Sequence, residues 1–138
     1  DLYDTHDYGL PQEVQEHLDD TRLHCICDPN PPDREWNEPW HGQPFFISEI
    51  GGIAWPPEAA KALTFSYGEV PQTVEAFMDR LTKLLQVIRS DKRVFGYCYT
   101  QLTDIYQEIN GLYYFDRTPK FPAEILKKAQ DGIAAFEE

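Results

Sequence analysis

Pro44-Phe45-Phe46-Ile47-Ser48-Glu49-Ile50-Gly51-Gly52 is the stretch that decides the fold of this chain. Its apolar run, ended by glycine, is typical of a strand that is buried on both faces of a parallel sheet. Parallel α/β folds place their chemistry at the carboxyl ends of such strands, which is where Glu49 stands. We therefore predict a functional carboxylate at Glu49; the alternative is a strand-end residue that simply faces solvent.

Strands and helices alternate on both sides of this stretch. In chain order, the patterns predict a strand over residues 1–8, a helix over 11–20, a strand over 45–49, a helix over 71–90, a strand over 94–99 and a helix that begins at Pro122. Apolar residues spaced three and four apart predict the inward faces of the last two helices: Val74, Phe77, Met78, Leu81, Leu84, Leu85 and Ile88, then Ile125, Leu126, Ala129 and Ile133. This alternation predicts an α/β fold with a parallel sheet.

The length and charge of the chain limit its organisation and its partners. Its 138 residues suit one ordinary domain, and hydrophobic residues, at 41%, provide material for a core. The formal net charge of −12 repels phosphate backbones and anionic lipids, so we expect neither nucleic acid nor a membrane as a partner. Because the first residue is Asp1 rather than Met, we expect a processed, trimmed or partial chain.

The three cysteines do not form a recognisable metal site. Cys25 and Cys27 follow His24 at a spacing that differs from the common zinc sites, and no second pair follows them in the sequence. Cys98 falls within the strand predicted over residues 94–99. We therefore expect free thiols, with neither a metal nor a cofactor.

Two blocks of the sequence resemble a known family of enzymes. The first runs from Gln43 to Gly52 and contains Ser48-Glu49-Ile50-Gly51. The second block is Gly96-Tyr97-Cys98-Tyr99-Thr100-Gln101-Leu102-Thr103-Asp104, continued by Gln107-Glu108-Ile109-Asn110-Gly111-Leu112 and Asp116-Arg117-Thr118-Pro119-Lys120. Together they resemble the C-terminal part of the catalytic (β/α)8 barrel of glycoside hydrolase family 2, which includes the β-galactosidases, β-glucuronidases and β-mannosidases. The resemblance implies that residues 1–138 form a single partial domain, about strands six to eight of a TIM barrel with their helices.

The resemblance also implies a retaining β-glycosidase with a carbohydrate substrate. Such an enzyme needs a carboxylate nucleophile and a protonated carboxylic acid about 5 Å apart. By motif position, Glu49 resembles the nucleophile. The family's acid follows an asparagine well upstream of the nucleophile, whereas Asn37-Glu38 lies in the connection that leads into the Glu49 strand, and we interpret it as a chance match. The acid/base residue is therefore expected outside this chain, which on its own is expected to be inactive.

Further side chains are candidates for contacts with the substrate or with the nucleophile. His6, and next Tyr8, stand at the end of the first predicted strand, where the family places a residue that hydrogen-bonds the nucleophile; an ordinary strand-end histidine is the alternative for His6. Thr100 and Gln101 stand at the end of the third strand, where a barrel presents side chains to its substrate. Trp55 is a candidate for stacking on a sugar ring, with a loop anchor as the favoured alternative.

Three residues of the loop after the third strand have less definite roles. Asp104 is as suited to fastening the loop as to contacting sugar. Glu108 and Asn110 are interpreted as residues that fix the loop.

Two other interpretations of the chain stay open. It could be a non-catalytic chain that uses the barrel segment for carbohydrate binding or assembly, or a small independent α/β domain whose likeness to the family is misleading. Intact barrels run to ~250 residues, so this chain could supply only about three of the eight strands. An open piece of that kind would expose two sheet edges and an apolar interior. We therefore expect it to need the rest of the barrel or to self-associate.

Overall fold

The computed structural model describes residues 2–20, 40–57 and 66–138. Within these ranges, three strands alternate with three α-helices. The elements are β1 (Tyr3–Asp7), α1 (Pro11–Asp19), β2 (Phe45–Gly51), α2 (Val74–Ser90), β3 (Val94–Thr100) and α3 (Ala123–Gln130), followed by a 3₁₀ turn at Ala135–Glu137. No helix within the described ranges is long and apolar enough to cross a membrane.

The three strands form one parallel sheet in the order β1-β2-β3. Consecutive parallel strands need a crossover connection, and α1 and α2 lie in the two connections. The parallel α/β arrangement predicted from the alternating pattern is therefore confirmed. All three carboxyl ends meet at one edge of the sheet, which brings residues far apart in the sequence close together.

The helices share one hydrophobic core with one face of the sheet. The core joins strand residues such as Phe45, Ile47 and Val94 to Phe77 and other apolar residues of the helices. The helix α2 contacts both α1 and α3, so it occupies the middle of the helical layer. Burying a large apolar side chain of this kind contributes about 1.5–3 kcal/mol, so the packing of the helices on the sheet stabilises the fold.

Two details of the predicted helices were wrong. The helix α2 begins at Val74 rather than at Pro71, because Thr73 is its N-cap and accepts a hydrogen bond from the Ala76 amide at 3.1 Å. Its first residue, Val74, is exposed instead of facing inward. Ile133 is also exposed, because α3 ends at Gln130 and leaves Ile133 beyond the helix.

The prediction that β2 is buried on both faces was also wrong. Phe45 and Ile47 are buried in the core, whereas Phe46 and Ser48 on the opposite face are only partly buried. The same asymmetry runs through β1, where buried and more exposed residues alternate along Tyr3–Asp7. The helices cover one face of the sheet, and the other face is largely open.

A register shift in β2 decides which way Glu49 faces. Thr5 of β1 pairs with Ile47, but the next residue, His6, pairs with Glu49, so β2 carries one extra residue at Ser48. Strict alternation would otherwise place Glu49 on the same face as the buried Ile47. A bulge re-aims the side chains that follow it, and here Glu49 turns towards His6 while Ile50 returns to the core.

Candidate active site

The carboxyl ends of the three strands bring the main predicted residues together. Tyr8 follows β1 directly, Glu49 lies near the end of β2, and Thr100 ends β3. Gln101 comes next in the chain, after a cis Thr100–Gln101 peptide bond. Tyr8, Glu49, Thr100 and Gln101 all line one cavity of about 410 Å³. Residues predicted separately from three parts of the sequence therefore share a single site.

The Glu49 carboxylate has two partners on the β1 side. The Tyr8 hydroxyl donates a hydrogen bond to Glu49 Oε2, and His6 Nδ1 lies 3.3 Å from the same oxygen. Burial raises the pKa of Tyr8, and the hydrogen bond to Glu49 raises it further, while the Thr100 side chain partly offsets this effect. Tyr8 therefore remains a protonated donor at neutral pH. The contacts with Tyr8 and His6 hold the Glu49 carboxylate in place. Because the Glu49 side chain is 41% exposed, the carboxylate is still open to the cavity.

The two glycines after Glu49 allow aromatic rings to approach the backbone closely. Gly51 has φ +98° and Gly52 has φ +56°, a region that strongly favours glycine. A Cβ at Gly52 would lie 2.7 Å from the Tyr67 ring and 2.8 Å from the Tyr8 ring. These rings stack on each other with their centroids 4.2 Å apart and their planes 9° apart. The glycine thus leaves room for the stack that positions Tyr8.

Polar side chains of the loop after β3 line another side of the cavity. The Gln101 amide donates to Asn110 Oδ1 at 2.7 Å and lies 3.4 Å from Glu108 Oε2. Glu108 and Asn110 both line the cavity, together with Ile109. Carboxylate and amide groups such as these can hydrogen-bond the hydroxyl groups of a ligand.

The same loop is held from behind by a buried ion pair. Lys120 Nζ lies 2.6 Å from Asp104 Oδ1, and this oxygen also accepts a hydrogen bond from the Gly111 amide at 2.9 Å. The Lys120 side chain is fully buried and also donates to the Ile109 carbonyl at 3.1 Å. Burial lowers the pKa of Lys120, and Asp104 partly restores it. Asp104 therefore fastens the loop, which is one of the two roles predicted for it.

Trp55 does not line the cavity, and its ring packs against the hydrophobic core. Its ring meets Phe77 edge-on, with the centroids 5.9 Å apart, and lies 5.4 Å from the ring of Phe121. Its amide donates to the Ile109 carbonyl at 2.9 Å, which ties the loop after β2 to the loop after β3. These contacts favour the loop anchor over sugar stacking, which stays a prediction.

Asn37-Glu38 lies outside the described residues. His24, Cys25 and Cys27 do so as well, whereas Cys98 is a free, exposed thiol on β3. Within residues 2–20, 40–57 and 66–138, no three His, Cys, Asp or Glu side chains are grouped so that they could hold a metal ion.

Two residues that line the cavity, Tyr67 and Ile109, were not predicted as site residues, and two predicted loop-fixing residues line it as well. Tyr67 lies 18 positions after Glu49, in a segment without helical or strand periodicity, so no local pattern marks it. Glu108 and Asn110 were interpreted as residues that fix the loop, and both line the cavity. One signal was available, since the carboxyl-end loops of a parallel sheet converge on one site and often carry the polar side chains that contact ligand.

The arrangement suits attack by an oxygen nucleophile on a polar substrate. The Glu49 carboxylate is accessible, and the Tyr8 donor and His6 restrict its rotation. Polar groups from a different loop face the same space. A positioned carboxylate of this kind can form a covalent intermediate, and an ordered wall of donors and acceptors can hold the substrate that it attacks.

Comparison with known proteins identifies a similar fold. The chain resembles part of a GH2 β-galacturonidase from Eisenbergiella tayi, whose crystal structure contains bound glycerol. The TM-score is 0.58 at 17% sequence identity, and the match covers 96% of this chain and 24% of the other. This chain therefore spans about a quarter of that protein. No protein-family model and no curated protein matches the sequence. The described elements form a small α/β structure that shares its fold with a segment of a family 2 glycosidase.

Proposed function

We propose that this chain is the nucleophile-bearing part of the barrel of a retaining β-glycosidase of the family 2 type. One observation carries the proposal: the Glu49 carboxylate stands near the end of the middle strand, bonded by Tyr8, close to His6 and open to a polar cavity. Retaining glycosidases need a carboxylate of this kind as their nucleophile. The structural neighbour, itself a family 2 glycosidase, supports the proposal.

The one-sided sheet supports a barrel segment. In a (β/α)8 barrel the helices cover the outer face, and the inner face is filled by side chains from all eight strands. Here the helices cover one face, while Phe46 and Ser48 on the other are partly buried and Cys98 is exposed. The strand order β1-β2-β3 follows the chain order, as it does around a barrel. We propose that residues 1–138 are a single partial domain and that five further strands complete it.

The proposed reaction proceeds in two displacements. Glu49 attacks the anomeric carbon, and the bond from this carbon to the leaving-group oxygen breaks while that oxygen takes a proton from a carboxylic acid. Water then attacks the glycosyl-enzyme, gives its proton to the same acid/base residue, and releases Glu49 with overall retention. Tyr8 donates to the Glu49 carboxylate, and its proposed role is to orient this carboxylate for the attack. We propose that the acid/base residue lies on a strand outside this chain.

The proposed location of the acid/base residue outside this chain determines what the chain can do alone. Without protonation, an ordinary alkoxide or phenoxide leaves slowly, and general acid catalysis typically contributes 10²–10⁴-fold. We expect no measurable hydrolysis of an ordinary aryl β-glycoside by the isolated chain. Turnover by the chain alone would mean that it contains its own acid, and Glu38 would be the first residue to test.

Chemical rescue tests the assignment of Glu49 in the full-length parent protein. The E49A variant removes the nucleophile, and azide can take its place in the space that opens. With a β-glycoside of dinitrophenol, we expect E49A to be inactive alone and to form an α-glycosyl azide when azide is added. A β-glycosyl azide would contradict the proposal, because it would make Glu49 the acid/base residue. Asp79 on α2 is exposed, so D79A serves as the control that keeps normal turnover.

A further inference from the structure

Asp7 is a buried carboxylate between two residues of the candidate site. It follows His6 and precedes Tyr8, and both of these side chains lie against Glu49. The Asp7 residue itself is only 4% exposed, and its position in β1 pairs with Ile50. Its side chain lies on the core face of the sheet, so it does not line the cavity that Glu49 faces. Asp7 does not contact Glu49 directly in the described structure.

The two oxygens of Asp7 join β1 to the turn and to the helix that follow. Oδ1 accepts a hydrogen bond from the Gly9 amide at 2.9 Å, which forms a tight turn with Tyr8 as its middle residue. Oδ2 lies 3.2 Å from His17 Nδ1, in the last turn of α1. A Cβ at Gly9 would lie 3.0 Å from Asp7 Oδ1, so the turn is closely packed.

This geometry links the α1 helix to Glu49 through Asp7 and Tyr8. Because the Asp7 side chain fixes the backbone on both sides of Tyr8, it sets the direction in which the Tyr8 side chain leaves the strand. The Tyr8 ring then stacks on Tyr67, and its hydroxyl reaches Glu49. We propose that Asp7, clamped by Gly9 and His17, is a positioning residue that holds Tyr8 on the nucleophile. This inference rests on the proposed function, since it assigns a role in the glycosylation of Glu49.

The charges around the clamp favour an ion pair. The hydrogen bond to Asp7 raises the pKa of His17, and burial opposes the shift in part. Among the described residues, Glu13 and Glu16 on the same helix also act on His17, and both stabilise its protonated form. The clamp therefore combines a buried carboxylate with an imidazole whose protonated form Asp7 favours, near the C-terminal end of α1, where the helix dipole also favours positive charge.

Four variants separate positioning from general stability. D7A removes both contacts, D7N retains an acceptor for the Gly9 amide, and H17A removes only the contact to the helix. D19A is the matched control, since Asp19 is an exposed carboxylate on α1 whose side chain bonds only Gln15 in the described structure. The full-length parent is treated with 2-deoxy-2-fluoro-β-glycosyl fluorides, whose fluoride departs without needing a strong acid. The rate of covalent labelling at Glu49 is then measured by mass spectrometry.

We expect D7A to slow labelling about tenfold, the loss that corresponds to one hydrogen bond to a charged group. The concentration of reagent that gives half-maximal labelling should stay unchanged, because Asp7 does not contact the sugar. D7N should recover most of the rate, H17A should lie between D7N and D7A, and D19A should match the unmodified protein. A folded D7A protein labelled at the normal rate would overturn the proposal, and so would a normal rate in H17A if D7A fails to fold.

A second measurement does not depend on catalysis. In the full-length parent labelled with ¹³C at tyrosine Cζ, the Tyr8 signal is assigned with Y8F and followed as pH rises. Tyr8 should resist deprotonation above the ordinary tyrosine pKa of about 10, because burial and Glu49 raise its pKa. In D7A, Tyr8 should titrate closer to the ordinary value, because the turn that holds it loses the contact with the Gly9 amide, and an unchanged titration would contradict the clamp. If the unmodified protein is never labelled at Glu49, the proposed function fails, and this titration alone decides the role of Asp7.

Discussion

Replacing Gly51 with alanine tests whether the strand end beside Glu49 is packed as tightly as its geometry indicates. Gly51 has φ +98°, and a Cβ there would lie 2.4 Å from Cε2 of Tyr99 and 2.8 Å from its Cδ2. The unfavourable backbone region costs about 1–2 kcal/mol for an L-residue. Displacing a packed ring costs about 1–3 kcal/mol more. We expect G51A to lower the free energy of unfolding by about 2–5 kcal/mol, measured by urea denaturation.

A second glycine in the chain provides the matched control. Gly42 has φ +88°, and a Cβ there would meet nothing within 4 Å. G42A should therefore incur only the backbone cost of about 1–2 kcal/mol. Replacing the Tyr99 ring with the smaller leucine side chain in a G51A/Y99L double variant should recover part of the lost stability. The effects of the two substitutions on the free energy of unfolding should therefore be less than additive. Equal destabilisation by G51A and G42A would refute the close packing of Tyr99 against the strand that carries Glu49.

Three further predictions concern the loop, the helix and the isolated chain. K120M should destabilise the protein by about 3–5 kcal/mol in urea unfolding, because it leaves the buried carboxylate of Asp104 unpaired; a loss within error of zero would contradict the ion pair. His17 has a raised pKa in the folded state, so its contribution to stability should be complete below about pH 6.5 and lost as pH rises through the folded value. Stability measured against pH should show this decline in the unmodified protein and lose it in H17Q, and an identical decline in H17Q would assign it to another group. The isolated chain should associate or rearrange in gel filtration, and a stable monomer with cooperative melting would argue strongly against a barrel segment.

The strand pattern and the position of Glu49 were accessible from the sequence for a physical reason. A short apolar run bounded by glycine is typical of a strand in a parallel sheet, and the following carboxylate necessarily falls at its carboxyl end. Because parallel strands end at one edge, the sequence alone predicts that Tyr8, Glu49 and Thr100 lie near one another. The structure brings these three residues to one cavity.

The direction of the Glu49 side chain could not be predicted from the sequence in the same way. The extra residue at Ser48 arises from the pairing of β2 with its neighbours, and a single strand carries no local signal of its register. The open face of β2 was missed for a related reason. An apolar run such as Phe45-Phe46-Ile47 gives the same sequence pattern whether one face of the strand or both faces are covered by other elements. Here the side chain of Phe46 is only partly buried.

The loops limited the prediction of the site for a different reason. Tyr67 reaches the site through a tertiary stacking contact with Tyr8, and no periodicity connects the two residues. The roles of Glu108 and Asn110 depend on the path of the loop, which the buried Asp104–Lys120 pair sets from 16 positions apart in the sequence. Long-range contacts of this kind decide which polar side chains of a loop face a cavity, and composition alone does not reveal them.

Covalent trapping of the unmodified full-length parent tests the central claim most directly. The protein is incubated with a panel of 2-deoxy-2-fluoro-β-glycosyl fluorides that covers galactosyl, glucosyl, mannosyl and uronyl reagents, then digested, and the peptides are sequenced by mass spectrometry. We predict a single glycosyl ester on the Glu49 side chain, in the peptide that contains Phe46-Ile47-Ser48-Glu49, and no ester in E49Q. An ester on another carboxylate, or a correctly folded protein that no member of the panel labels, would contradict the assignment of Glu49 as the nucleophile.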